Sequence, residues 1–276
     1  RTLTYTPVAN ANGTATITVT ATDDGQPQLT FSRTFTITVN PVNDPPTVTV
    51  TSPNGGEKWS GIQNATWSAT DADNDSLIID IQYSADSGAN WAHIAFPPNT
   101  GLYGIDTHAL PDGNSYLIRV IASDGIATPV QDDSNAVFTI DNTAPTVSSV
   151  NTTHADGSFK AGEVIDLTVV YSENVTVTVG GPPLITLNSG GLAVYESGSG
   201  ANTLTFRYTV ASTQNSSDLT YSATDSLDTN GGTIKDAAGN NVNNTLPNPA
   251  TFSGAHAIVI DTKELGESSY DNALPW

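Results

Sequence analysis

The chain contains no cysteine and no methionine. Without cysteine there is no disulfide framework, no thiol nucleophile and no thiolate metal site, so stability must come from ordinary apolar cores or from bound ions. Basic residues are scarce: Lys and Arg total 8 against 28 Asp and Glu, a net charge of -20. That excludes nucleic acid and an anionic membrane surface as partners, because both demand basic patches. No apolar run approaches the ~18 residues of a membrane span, so direct membrane insertion is not expected. No signal peptide opens the sequence, and Arg1 stands inside a strand-like segment, so the expectation is a processed or truncated piece of a longer, secreted protein. Helix signals are nearly missing as well. No Ser-His-Asp grouping, His-Glu-x-x-His, phosphate loop or carboxylate pair in a cleft is recognisable, and the four histidines are scattered. The expectation is therefore a protein that is not an enzyme.

What is present is β-pattern. Thr14 to Thr20 and Thr34 to Val39 alternate apolar residues with threonine, the period of a half-buried strand. Val164 to Tyr171, Leu204 to Val210 and Ala257 to Ile260 read the same way. Short strands separated by Gly, Asn, Asp and Pro predict an all-β protein built of immunoglobulin-like sandwiches. Two proline-containing segments, Val42-Asn43-Asp44-Pro45-Pro46-Thr47 and Ile140-Asp141-Asn142-Thr143-Ala144-Pro145-Thr146, each follow an apolar strand. They read as stiff connectors, too short to be floppy. Ile260-Asp261-Thr262 reads as a third such end. The expected division is 1–46, an incomplete domain of about three strands; 47–143 and 144–262, each long enough for a seven-stranded sandwich; and a tail, 263–276.

These segments resemble tandem surface repeats of bacteria and archaea. Leu3-Thr4-Tyr5-Thr6-Pro7, Asn10-Ala11-Asn12-Gly13-Thr14 and the exit Val42-Asn43-Asp44 resemble the final half of a cadherin-like repeat. Pro53-Asn54-Gly55-Gly56-Glu57 and Tyr116-Leu117-Ile118-Arg119-Val120 resemble an Ig or fibronectin-III-like module. Lys160-Ala161-Gly162-Glu163, Tyr171-Ser172-Glu173-Asn174-Val175, Ser197-Gly198-Ser199-Gly200 and Asp236-Ala237-Ala238-Gly239-Asn240 resemble the Ig-like repeats of large bacterial adhesins. The resemblance implies an extended rod of tandem Ig-like and cadherin-like sandwiches on the cell surface.

The acids are mostly Asp, a turn former and compact oxygen ligand. A halophile-like acidic surface is the plainer alternative, which scattered Glu would favour. In an Ig-type sandwich the B–C and F–G loops lie at the end where the chain comes in. Strand B of the middle block, Thr66 to Ala69, is followed by Asp71-Ala72-Asp73-Asn74-Asp75, and strand F, Tyr116 to Ala122, by Asp124. Both loops are expected beside Asn43 and Asp44, while Asp112 is expected near Asp141 and Asn142. In the third block Glu173 follows strand B and Asp236 lies in the F–G connection, so both should face Asp141, and Asp218, ahead of strand F, should face Asp261. Asp23 and Asp24 form a similar loop with no domain to face. Cadherins hold calcium this way, and the resemblance carries ligand roles onto Asn43, Asp44, Asp71, Asp73 and Asp124. Pro45 stands where cadherin linkers carry Asn, and the cadherin exit motif is absent, so fewer ions per junction are implied. Two carboxylates ~5 Å apart repel by about 3 kcal/mol at an effective dielectric near 20, and structural Ca2+ relieves that with loose oxygen coordination. The plain reading of these residues is turn formation.

Three further features need weighing. Ser84-Ala85-Asp86-Ser87-Gly88-Ala89-Asn90-Trp91 matches an Asp-box hairpin, present once and hence structural. Trp59, Trp67 and Trp91 could make a sugar-stacking face, although Trp67 reads as core. Asn12, Asn64, Asn74, Asn151, Asn174, Asn215 and Asn243 begin Asn-x-Ser/Thr triplets, common by chance in so Thr-rich a chain. The leading expectation is a calcium-rigidified spacer of an extracellular, adhesive surface protein. Its partners are neighbouring domains or subunits of the same protein, with surface glycans or cell-surface protein as targets. The alternatives are a filament, sheath or surface-layer subunit assembled by strand complementation, and a carbohydrate-binding accessory region of a secreted hydrolase.

Overall fold

The computed structural model describes residues 4–178 and 180–263. The tail from 264 and the Leu3 part of the first repeat-like segment lie outside the described residues. The protein is all-β, with one short α-helix and one 3-10 turn (Thr107–Ala109) among the described residues. Two compact units are formed, one of residues 4–57, 62–106 and 113–139, the other of 58–61, 107–112 and 140 onward.

The first unit opens with β1 (Gly13–Thr22) and β2 (Thr30–Val39), an antiparallel hairpin in register from Gly13 opposite Val39 to Thr22 opposite Thr30. Among the described residues the third strand expected in this block is not formed: the segment from Thr4 to Asn12 pairs with neither strand, and Pro7 and the Asn10 turn (φ 58°) interrupt the alternation. Next come, in chain order, β3 (Thr47–Ser52), β4 (Lys58–Trp59, which belongs to the second unit), β5 (Ile62–Thr70), β6 (Ile78–Ser84), β7 (Ala92–Ala95), β8 (Leu102–Asp106), β9 (Gly113–Ser123), β10 (Val130–Asp133) and β11 (Phe138–Ile140). β3, β5 and β8 make one sheet of the sandwich. In the facing sheet β11, β9, β6 and β7 neighbour one another in that order, with β10 also paired to β9.

Period-2 burial explains why these segments pair face to face. Tyr116, Ile118, Val120 and Ala122 of β9 are buried while the residues between them are not, the mark of a strand with one face in the core. Trp67 of β5 and Ile79 and Ile81 of β6 complete that core. The rim is closed by polar bonds: the Asp132 carboxylate accepts the Val50 N–H at 2.7 Å, and buried Ser134 donates to the Pro53 carbonyl at 2.7 Å.

The second unit adds β12 (Val147–Thr152), β13 (Gly157–Phe159), β14 (Val164–Thr178), β15 (Leu184–Thr186), β16 (Leu192–Ser197), β17 (Ala201–Thr209), β18 (Leu227–Asp228), β19 (Thr233–Lys235), the helix α1 (Pro249–Ser253) and β20 (Ile258–Ile260). Its main sheet runs β12-β14-β17-β16-β15-β18, with β19 also on β14, while β13 and β20 form a parallel pair. Ile165, Leu167, Val169 and Tyr171 of β14 and Leu204, Phe206 and Tyr208 of β17 build the core. Two expectations are corrected. Strand β14 does not end at Tyr171; it shifts register between Val170 and Val175 and continues, pairing Thr176 with Lys235 of β19. And no regular strand follows Asp218: Leu219 and Tyr221 are buried, but the segment makes only isolated bridges, because turns at both ends keep it from lying along a neighbour.

Candidate metal centres

Two groups of three carboxylates bring one oxygen each within 4.8 Å of one another among the described residues. The first, Asp71, Asp73 and Asp75, lies in the loop leaving β5. Asp71 Oδ1 accepts the N–H of Asp73 at 2.8 Å and of Asp75 at 3.2 Å, which folds the loop over its own first residue. Asn74, at φ 63°, supplies the left-handed turn that brings Asp75 back. Asp71 Oδ2 is buried and has no hydrogen-bond partner, a position that ordinarily costs about 1–3 kcal/mol. The connector residues meet this loop through backbone and amide groups. The Asp44 N–H donates to Asp73 Oδ2 at 2.7 Å, and Asn43 Nδ2 donates to Asp124 Oδ2 at 2.9 Å. The Asn43 amide, with the N–H groups of Ile126 and Ala127, holds the Asp124 carboxyl below the usual carboxylate range. All five residues expected at this place thus interact here, but the carboxylates of Asp44 and Asp124 are not in the group of three; Asp75 is.

The second group, Asp141, Glu173 and Asp236, gathers three distant segments of the second unit: the chain leaving β11, the irregular middle of β14, and the loop after β19. Asp236 is 5 % exposed. Its Oδ1 accepts the N–H groups of Ala238, Gly239 and Asn240 at 2.7–2.9 Å, and its Oδ2 accepts Asn240 Nδ2 at 2.7 Å. Gly239, at φ 101°, lets the backbone wrap that tightly. Asn240 Nδ2 also donates to the Asp141 carbonyl at 2.7 Å, and its Oδ1 accepts the Ser60 hydroxyl. Glu173 sits in the register shift of β14 rather than in a loop after it, the position expected from the sequence. Burial, then the charges of Asp141 and Asp236, push its carboxyl above the usual range. The group is thus an under-compensated cluster of negative charge.

Asp112 and Asn142 do come together, but they are spent on one another. The Asn142 N–H and the Thr143 hydroxyl donate to Asp112 at 2.7 and 2.5 Å, keeping its carboxyl below the usual range. Asn142 Oδ1 accepts the Thr107 hydroxyl at 2.8 Å, and its Nδ2 donates to the Thr107 carbonyl. This is a clamp on the segment after β11 rather than an open ligand set. Asp218 and Asp261 belong to no group of three carboxylates among the described residues, and Asp23 closes its own loop by accepting the Leu29 N–H at 2.8 Å.

Trp59 and Trp67 are buried, and Trp67 Nε1 donates to Asn99. Trp91 carries the Arg119 guanidinium 3.8 Å from its ring centroid, itself paired with Asp133. The three tryptophans therefore present no shared stacking face. The Asp-box residues act structurally: Asp86 accepts from Ser84 Oγ and from the Asn90 N–H and amide, which bring its pKa to about 2, and Trp91 Nε1 donates to the Gly88 carbonyl.

No protein-family model and no curated protein matches the chain. Among solved structures it is similar to the fibronectin(III)-like modules of Clostridium thermocellum CbhA, with 13% identity and a TM-score of 0.33 over 79% of this chain and 94% of that one. It is similar to mouse cadherin-23 EC22-24, with 16% identity and a TM-score of 0.29 over 75% and 67%. It is also similar to a tetra-tandem repeat in the extending region of a large adhesion protein, with 19% identity and a TM-score of 0.27 over 91% and 57%. No helix among the described residues is long and apolar enough to cross a membrane.

Proposed function

We propose that the chain is a non-catalytic spacer of an extracellular surface protein, whose Ig-like and cadherin-like modules (1–46, 47–143 and 144–262) are rigidified by Ca2+. One observation carries the reading: two carboxylate groups, each within 4.8 Å, are held where a short connector meets its neighbouring loops. Both donor sets consist of hard oxygens alone, which suits Ca2+ and disfavours softer metals. The fit is supported by the partnerless Oδ2 of Asp71 and by the burial and the neighbouring Asp141 and Asp236 charges that together raise Glu173.

In the first group Asp71, Asp73 and Asp75 would hold the ion, with Asn43, Asp44 and Asp124 fixing the connector against the same loop. In the second, Asp141, Glu173 and Asp236 would hold it, with Asn240 tying the Asp236 loop to the Asp141 backbone. The ion supplies positive charge that offsets carboxylate repulsion of about 3 kcal/mol per close pair, and so removes the force that would splay connector from loop. Low-millimolar extracellular calcium suffices for sites with affinities of about 0.1–1 mM. Small-angle scattering and thermal melting in calcium and in chelator test the proposal. Shortening or increased flexibility together with a lower Tm in chelator is expected; an unchanged profile and Tm would refute it.

A further inference from the structure

In β6 the side chains of Ile79 and Ile81 are buried, so Asp80 and Gln82 lie on the opposite, outer face of the sheet. His93 of β7 stands opposite Gln82 and shares that face. The pairing of the two strands shifts between Ile81 and Gln82, and one carboxylate spans the irregularity. Asp80 Oδ1 bonds His93 Nδ1 at 2.7 Å, and Asp80 Oδ2 accepts Gln82 Nε2 at 2.7 Å. The Asp80 side chain is 19 % exposed and that of His93 46 %. Nε2 of His93 and Oε1 of Gln82 take no part in these bonds. An imidazole edge and an amide oxygen are thus held in place at the surface, with their ordering cost already met by the fold.

Phe96 follows β7 directly and is 67 % exposed. Its ring centroid lies 4.4 Å from that of His93, so an apolar ring sits beside the fixed polar groups. The core of this sandwich is filled from β5, β6 and β9, and Phe96 adds nothing to it. All four residues belong to one compact unit, within a block long enough to be a whole sandwich. Trp91, two residues before His93, is taken by another partner, because Arg119 covers its ring. Phe96 is therefore the ring this face leaves open.

We propose that Phe96, His93, Gln82 and Asp80 form a binding site for one neutral hexopyranose residue of a glycan. The C–H face of the sugar packs on the Phe96 ring, while its hydroxyls meet Gln82 Oε1, His93 Nε2 and the Asp80 carboxylate. A hydroxyl both donates and accepts, so it satisfies an amide oxygen, a carboxylate and either tautomer of the imidazole. One apolar ring with a few convergent polar groups is the chemistry of a small-ligand site. A protein partner needs more: each side of a stable complex buries about 800 Å², whereas one aromatic side chain offers about 150–250 Å². A carboxylated sugar is repelled by Asp80 and by a chain of net charge -20. The site uses no carboxylate of the two proposed calcium groups, so it stands independently of them.

The test is NMR titration of the whole chain with the methyl glycosides of glucose, galactose and mannose, and with methyl glucuronide. At least one neutral glycoside should shift the amides of residues 80–82 and 93–96 saturably, with a Kd of about 1–10 mM. The glucuronide should bind about tenfold more weakly or not at all. Phe96→Ala should weaken binding about tenfold at an unchanged Tm, and Gln82→Ala about fivefold. No saturable shift with any neutral glycoside, shifts confined to other residues, equal binding of the glucuronide, or full affinity in Phe96→Ala would overturn the proposal. So would shifts of the same amides on concentrating the protein alone, which would assign the ring to a contact between copies.

Discussion

Replacing Asp236 by alanine separates the two things its carboxylate does. In the apo protein it accepts three backbone N–H groups and one amide N–H, all at 2.7–2.9 Å, and is 5 % exposed. Hydrogen bonds to a charged acceptor are worth about 1.5–3 kcal/mol each when the partner stays buried, and less where the loop relaxes into water. Counting about 1 kcal/mol for each gives a loss of about 3–4 kcal/mol, or a fall in Tm of about 10–15 °C for a unit of this size. Asp141→Asn is the contrast. Among the described residues its carboxylate accepts only the Thr143 N–H, at 3.2 Å, so the cost without calcium is about 1 kcal/mol or less. Denaturant unfolding in chelator measures both costs, and repeating it in millimolar calcium tests for the proposed stabilisation by the ion. Both variants should lose that stabilisation, while only Asp236→Ala is strongly destabilised in chelator. If Asp141→Asn retains the full calcium stabilisation, or if Asp236→Ala melts like the parent in chelator, the reasoning fails.

Trp67→Ala should cost about 3–5 kcal/mol in denaturant unfolding, because a buried indole is removed from between two sheets. Arg119→Ala, which uncovers Trp91 and leaves Asp133 alone, should cost about 1–2 kcal/mol and red-shift the tryptophan emission. The Glu173 carboxyl is raised above its ordinary 4.5, so the folded apo chain holds that proton more tightly than the unfolded one. Its contribution to stability therefore rises as pH falls through the folded value towards 4.5 and is lost again as pH rises; pH-dependent unfolding in chelator should show this, and Glu173→Gln should flatten it. By NMR titration Asp86 should ionise at about 2, and Asn90→Ala should bring it back towards the ordinary value.

Much of this was legible in sequence because both strands and Asx loops are local devices. The Thr-x-Thr alternation of β1 and β2 and the Asp71–Asp75 loop after β5 follow from period and turn chemistry, while the Asp236 loop and the pairing of Asp112 with Asn142 were expected from where loops fall at the ends of an Ig-type sandwich. That Glu173 and Asp236 would meet Asp141 was expected as well, and they do; what the residues did not signal is that Glu173 sits in a register shift within β14 rather than in a loop after it. Nor did they signal the roles of Asp44 and Asn240: one acts through its backbone N–H and the other through an amide that reaches across to the Asp141 carbonyl, contacts that only folding brings about. Asp75 was visible as the third member of an alternating acid triplet, yet its place in the group depends on the left-handed Asn74. The third strand of the first block, not formed among the described residues, reflects the same limit. Alternation marks which residues can pair, while Pro7 and the turn at Asn10 interrupt it.

Calorimetric titration of calcium into the whole chain bears most directly on the central claim. The account predicts two binding events at about 0.1–1 mM, one removed by Asp73→Asn and the other by Asp141→Asn, with the remaining event intact in each case. Absence of saturable binding, or binding that survives both substitutions together, would contradict it.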